Sequence, residues 1–200
     1  MKKKSSPLPV IIGMIILVLV VGVGYFAALK FKEKKNSEKA DISFTETEVL
    51  LGIDLKEEEN YPKKSREVIK LYSRILMCLY NDTEITAEDF EALVMMQREL
   101  YDAELLAINP VNSNITALME EASEYAEKNK RISDYEIMTV SNIENWKDEG
   151  KSYASMTARY IVIEGGVSSS IYQKFLLRYD NETARWKILG WEVASKEDMK

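Results

Sequence analysis

The sequence contains no histidine, and it holds one cysteine in 200 residues. Without histidine there can be no Ser-His-Asp or Cys-His nucleophile, no His-containing zinc site and no imidazole base acting near neutral pH. A single thiol excludes an intrachain disulfide framework, CxxC redox chemistry and a Cys₄ metal site. Glycine is scarce too, at eight residues, and neither GxGxxG nor a P-loop occurs among them. G-x-S-x-G and S-x-x-K are missing as well, so a serine nucleophile has neither its elbow nor a lysine partner.

What is present divides sharply. Residues 1–40 carry a net charge of +6, whereas residues 41–200 carry −12, which together make the overall −6. The acidic part argues against nucleic acid, because phosphate contacts need clustered basic side chains. The basic part surrounds an apolar run. A short tail, residues 1–9, contains Lys2, Lys3 and Lys4 and is followed by Val10 to Leu29 without a charge. Twenty residues rising roughly 1.5 Å each cover about 30 Å, the thickness of a bilayer's hydrocarbon core. The pattern therefore predicts a transmembrane helix over 10–29, longer than a cleavable signal's apolar region and lacking an A-x-A site. The expected layout is a single-pass, signal-anchored protein of the cell membrane, with a lipid bilayer as partner. Lys2–Lys4 resemble an export signal's basic start and favour a cytoplasmic amino terminus with the domain outside the cell. The lysines after the run (Lys30, Lys32, Lys34, Lys35 and Lys39) pull the other way under the positive-inside rule.

Residues 30–60 read as a charged juxtamembrane linker, with one apolar patch, Val49-Leu50-Leu51-Gly52-Ile53, placed to dock on the domain as an extra turn or edge strand. From Pro62 to Tyr80, Val68, Leu71, Tyr72, Ile75, Leu76 and Leu79 recur at helical spacing and mark one buried face. Cys78 in this segment reads as a small buried hydrophobe. Thr86-x-x-Asp89 resembles a capping box, and Phe90 to Ile108 continue a second amphipathic face until Asn109-Pro110. Ser113 or Asn114 starts a third helix, which runs to about Lys130. Thereafter the period becomes two. Strands are expected at 132–140, 152–163, 167–179 and 184–193, separated by Asp148-Glu149-Gly150-Lys151, by Glu164-Gly165-Gly166 and by Asp180-Asn181-Glu182-Thr183. Helices followed by an antiparallel meander make an α+β domain over 61–194, with three helices on one face of a curved four-stranded sheet. Residues 195–200 are left as a tail.

This order of elements, with the ending Arg185-Trp186-Lys187-Ile188-Leu189-Gly190-Trp191 after Asp180-Asn181-Glu182, resembles the cone-shaped fold of nuclear transport factor two and its relatives. The overall layout, with Asn60-Tyr61-Pro62 and Arg66 to Ile75, resembles a bacterial family of single-pass proteins. The first resemblance implies a concave sheet that receives a ligand or partner, and in some relatives an isomerase or hydratase site. Scytalone dehydratase-like sites need histidine, which this chain lacks. Ketosteroid isomerase-like sites need a tyrosine and an acid converging in a dry pocket. No catalytic residue carries over.

The candidate concave-face or pocket residues are Tyr72, Tyr101, Tyr160, Tyr172, Trp186 and Trp191. Glu120, Glu121 and Glu124 share one helix face and read as solvated charge. Asn81-Asp82-Thr83, Asn114-Ile115-Thr116 and Asn181-Glu182-Thr183 match the N-glycosylation triplet, which matters only in a eukaryotic secretory pathway. No cofactor and no metal are expected. The sequence points to a non-enzymatic module that binds a protein partner or a small apolar ligand. A scaffold subunit of an envelope assembly, such as a conjugation or secretion machine, is the alternative, and an isomerase- or hydratase-like enzyme ranks last.

Overall fold

A computed structural model describes residues 45–199. From Glu46 onward these residues form one compact unit. The helices come first: α1 (Glu46–Leu51), α2 (Ser65–Asn81), α3 (Ala87–Glu99), α4 (Ala103–Ile108) and α5 (Val111–Glu127). The strands follow: β1 (Lys130–Ile137), β2 (Glu144–Asp148), β3 (Lys151–Glu164), β4 (Val167–Asp180) and β5 (Arg185–Ala194). Two 3₁₀ turns, Val140–Asn142 and Lys196–Met199, complete the described chain.

The expectation of a membrane-spanning helix is corrected here. Among the described residues no helix is long and apolar enough to cross a membrane. The longest, α2 and α5, have 17 residues each and charged outer faces. The predicted span at 10–29 lies outside the described residues, as do the tail 1–9 and the first part of the linker. The single-pass, signal-anchored layout and the cell-membrane location built on it therefore find no support in the structure.

The fold class is α+β, but its element count also needs correcting. The sheet has five strands, not four, all paired antiparallel in the order β1-β3-β4-β5 with β2 also on β3. β1 pairs with the far half of β3, from Ala158 to Glu164, and β2 with its near half, from Lys151 to Ser155, so both occupy the same edge. The sequence of β2, Glu-Asn-Trp-Lys-Asp, has no alternation and all five residues are exposed, which removes the signal that marks a half-buried strand. The second predicted helix is two. It breaks at Leu100–Asp102 because that segment pairs with β5: Ile188 N–H donates to Leu100 O and Asp102 N–H to Ile188 O, both at 2.8 Å. Asp102 then caps α4 by accepting from Glu104 N. The third helix begins at Val111, directly after Pro110.

Local chemistry accounts for the other joints. Thr86 Oγ1 accepts from Asp89 N at 3.0 Å, so the capping residue expected from Thr86-x-x-Asp89 is in place. Gly165 and Gly166 take φ of +57° and +83° and close the β3–β4 hairpin, a backbone that side chains with a Cβ disfavour. α2 lies against β1, β3 and β5 and buries Val68, Ile69, Ile75 and Leu79. The apolar patch that was expected to dock does so as α1, with Leu50 fully buried. Leu55 and Tyr61, also within or beside the predicted linker, join the same core. Tyr61 O–H donates to Trp186 O at 2.8 Å, and Arg185 stacks over its ring at 4.4 Å.

Candidate functional site

β3 pairs with β1, β2 and β4 and contributes side chains to both faces of the sheet. Its Ala154, Met156, Ala158, Tyr160 and Val162 face the helices and are buried, as alternation requires. Its other face is buried in part as well: Tyr153, Ser155 and Thr157 are 6%, 6% and 0% exposed. The C-terminal turn Lys196–Met199 lies against β3 and contributes to this cover.

Of the six aromatic residues singled out from the sequence, three come together. Tyr72 from α2, Tyr101 from the α3–α4 break and Trp191 from β5 surround Phe175 of β4. Ring centroids are 5.3 Å apart for Tyr72–Phe175, 5.8 Å for Tyr72–Trp191 and 5.9 Å for Tyr101–Trp191. Tyr72, Tyr101 and Phe175 are buried, so this cluster fills the space between helices and sheet instead of lining an open concavity. Tyr160 lies in the same interior, its hydroxyl 3.0 Å from Ser73 Oγ. Tyr172 is half-buried on β4, opposite Arg159 and Ala194. Trp186 lies apart, edge-on to Tyr179 at 5.4 Å.

The interior is polar at one end. Tyr101 O–H donates to Gln97 Oε1 at 3.0 Å, and Tyr72 acts on the same hydroxyl. Gln97 Nε2 is buried without a partner. Burial pushes the Tyr72 hydroxyl well up, with the neighbouring tyrosines and Glu121 adding to it. It does the same to Tyr101 against the opposing pull of Arg98, and to Tyr160 against that of Ser73. These phenols are held neutral, as donors. Burial, with Glu121 adding to it, pushes the Tyr80 hydroxyl up, but Glu121 is solvent-exposed, so this tyrosine–acid pair lacks the dry carboxyl that proton abstraction beside a carbonyl would use. The carboxyl groups displaced from their ordinary range, Glu124, Asp180 and Asp198, all move down, held as anions chiefly by Lys128, by Thr183 and by Ser195 respectively. Cys78 is buried, and burial pushes its thiol up, away from the reactive thiolate.

Two surface sites were not foreseen. The first is an aromatic groove of about 320 Å³ lined by Trp146, Tyr153 and Trp186 with Asn145, Lys147 and Ser152. Trp146 stacks on Tyr153 at 5.5 Å and 14°, yet remains 41% exposed. Trp186 was a candidate from the sequence; its partner Trp146 sits in a polar stretch where no periodicity drew attention to it. The second site is a polar pocket on the outer face of β3, at Ser155 and Thr157. Among the described residues no group of three or more acidic or cysteine side chains is placed to hold a metal ion.

A family model described as "Domain of unknown function (DUF6715)" matches residues 1–191. The chain belongs to that family. The match takes in the described domain nearly to the end of β5 together with the residues before it. No curated protein matches the chain. Among solved structures, the crystal structure of the intermembrane space region of chloroplast protein ARC6 is similar at a TM-score of 0.35 and 10% identity, covering 66% of this chain and 95% of that one. A likeness that loose carries no argument about fold or function.

Proposed function

We propose that the chain is a non-catalytic binding domain, which recognises a protein partner or small ligand through the groove of Trp146, Tyr153 and Trp186. The observation that carries this reading is a tryptophan stacked on a buried tyrosine yet left 41% exposed beside a second tryptophan. Large rings held rigid by packing, with polar groups at the rim, give much contact area for little loss of side-chain freedom. Such aromatic side chains dominate binding energies at interfaces. The interior phenols support the same reading, since burial holds them neutral.

A photo-crosslinking residue at Asn145, on the groove's rim, tests this in the cells that make the protein. A discrete product should form from Asn145, should vanish when Trp186→Ala is added, and should not form from Glu91 on the exposed face of α3. Equal labelling from Asn145 and Glu91 defeats the groove.

A second reading, a self-associating scaffold, has one observation of its own. β5 pairs with β4 only from Tyr172 onward, so Val167–Ile171 have a ladder partner on one side alone, and Val167 is 70% exposed. Such an edge is a template for a further strand. Concentration-dependent dimerisation abolished by Ser169→Pro favours the scaffold; a monomer at all concentrations removes it.

A further inference from the structure

The strands that border the sheet are blunted, with one exception. β1 carries Lys130, Arg131, Asp134 and Glu136, and its register slips between Ile132 and Asp134. β2 carries Glu144, Lys147 and Asp148. β5 is charged at Arg185, Lys187 and Glu192, and Leu100–Asp102 pairs with it at Ile188. Charges, slips and covering segments are the means by which sheets keep other chains off their free edges. The first part of β4 has none of them. Its second neighbour β5 ends at Ala194, opposite Tyr172, and residues 165–173 read Gly-Gly-Val-Ser-Ser-Ser-Ile-Tyr-Gln, without a charge in a chain that is 30% charged. Val167 to Ile171 are all exposed, and α5 packs on β1 at the opposite edge of the sheet.

The free residues fit one partner in particular. Val167-Ser168-Ser169-Ser170-Ile171 has the same chemistry read in either direction. Turned about a two-fold axis at Ser169, an antiparallel copy sets Val167 opposite Ile171, Ser168 opposite Ser170 and Ser169 opposite itself, and no charge meets its like. Alternation puts Val167 and Ile171 on the face that carries Val193, which stands opposite Gln173. These three are 70%, 37% and 82% exposed, an apolar strip that the second copy would cover. A foreign strand would match the edge through its backbone alone. A two-fold contact also closes after two copies, so it makes a dimer and not a fibre.

We propose that two copies of the chain pair through Val167–Ile171, antiparallel about Ser169, and join their sheets into one. This pairing rests on the self-associating reading, to which it gives a partner and a register, and is independent of the aromatic groove. Five residue pairs span about 17 Å, less than a standard interface provides, so dissociation in the micromolar range or weaker is expected.

Paired cysteines test the register in the full-length chain. Directly opposed residues have Cα atoms about 4.5–5.5 Å apart, within reach of a disulfide, whereas diagonal neighbours lie about 7–8 Å apart. Under mild oxidation, Ser169→Cys should therefore crosslink with itself. A mixture of Ser168→Cys and Ser170→Cys should crosslink about tenfold faster than either alone. The native chain should not crosslink, since Cys78 is buried. In sedimentation, Ser169→Lys sets two ammonium groups face to face and should weaken the dimer several-fold, while Ser169→Thr and Trp146→Ala should keep it. A dimer that crosslinks as well through Ser168→Cys alone as through the mixture, or that ignores Ser169→Lys, overturns this register and leaves self-association standing. A dimer lost in Trp146→Ala moves the contact to the groove and overturns the pairing too. A monomer at every concentration overturns both the pairing and the scaffold.

Discussion

Asn81 closes α2 and at the same time stands in for a missing strand. Its Nδ2 donates to Ile132 O at 2.7 Å and its Oδ1 accepts from Ile132 N at 2.9 Å, beside the point where the register of β1 slips between Ile132 and Asp134. Replacement by leucine leaves two half-buried backbone groups unpaired, and a loss of about 2–3 kcal/mol is expected in urea unfolding. Asn81→Asp keeps the acceptor and should lose less; equal losses for both would mean that the amide pairing is not what stabilises the joint. The contact also occupies the amide that the Asn81-Asp82-Thr83 triplet would offer for modification. The sequence shows Asn81 as the end of a helix, but its partner lies 51 residues away and no local signal names it. Thr157 is hidden for a related reason. It alternates onto what should be the solvent face, and that face is covered by a four-residue turn at the end of the chain. Tyr72, Tyr101 and Trp191 were expected to line a concave face or pocket, and their rings instead pack around Phe175, because large rings brought together between helices and sheet bury most area against one another.

At the scale of elements, the turns were the most legible features and the interruptions the least. Gly165-Gly166 and Glu149-Gly150 sit where two residues in a row take positive φ, and glycine is there for that reason. Gly165→Ala puts a Cβ at φ +57°, where space is open but the backbone is unfavourable. A cost of about 1 kcal/mol is expected in thermal or urea melts. Gly165→Asn should cost less, because asparagine tolerates the left-handed region. If alanine and asparagine cost the same, the hairpin conformation is not what selects glycine. By contrast, the break between α3 and α4 has no glycine or proline to announce it. Leu100-Tyr101-Asp102 leaves the helix because Ile188 offers both its N–H and its C=O to it, and because Arg178 holds Asp102, Nε to Oδ2 at 3.0 Å. Hydrogen bonds to Asp102 and Glu104 outweigh the burial that would otherwise lower the Arg178 guanidinium, so the charge is retained inside this joint. β2 was missed for the opposite reason: it makes a full ladder with β3 while burying nothing, and only burial leaves a period in a sequence.

For the whole domain, the absence of histidine moves its pH response to the extremes, and tyrosine governs the alkaline side. Tyr61, Tyr72, Tyr80, Tyr101, Tyr125, Tyr135 and Tyr160 all have hydroxyls pushed up, in each case chiefly by burial, with Tyr125 reaching about 12. A phenol whose folded pKa exceeds its unfolded value contributes stability that is fully present below the unfolded pKa of about 10 and is lost as pH rises above it. Several such groups share one core, so their losses add over the same interval. The domain should therefore hold a flat stability from neutral pH to about pH 8.5, lose a little above that as the buried Cys78 thiol resists ionisation, and unfold steeply above about pH 10. Tyrosinate absorbance and far-ultraviolet circular dichroism followed through one alkaline titration check this, because the buried phenols can ionise only as the fold opens. The two signals should change together for most of the tyrosine, after a small early phase from the exposed rings. Tyr72→Phe should leave that alkaline midpoint unchanged or higher, since one ionisable group is gone. Complete ionisation of the tyrosines with the dichroism still native would show that these rings reach water, and that the space between helices and sheet is open instead of filled.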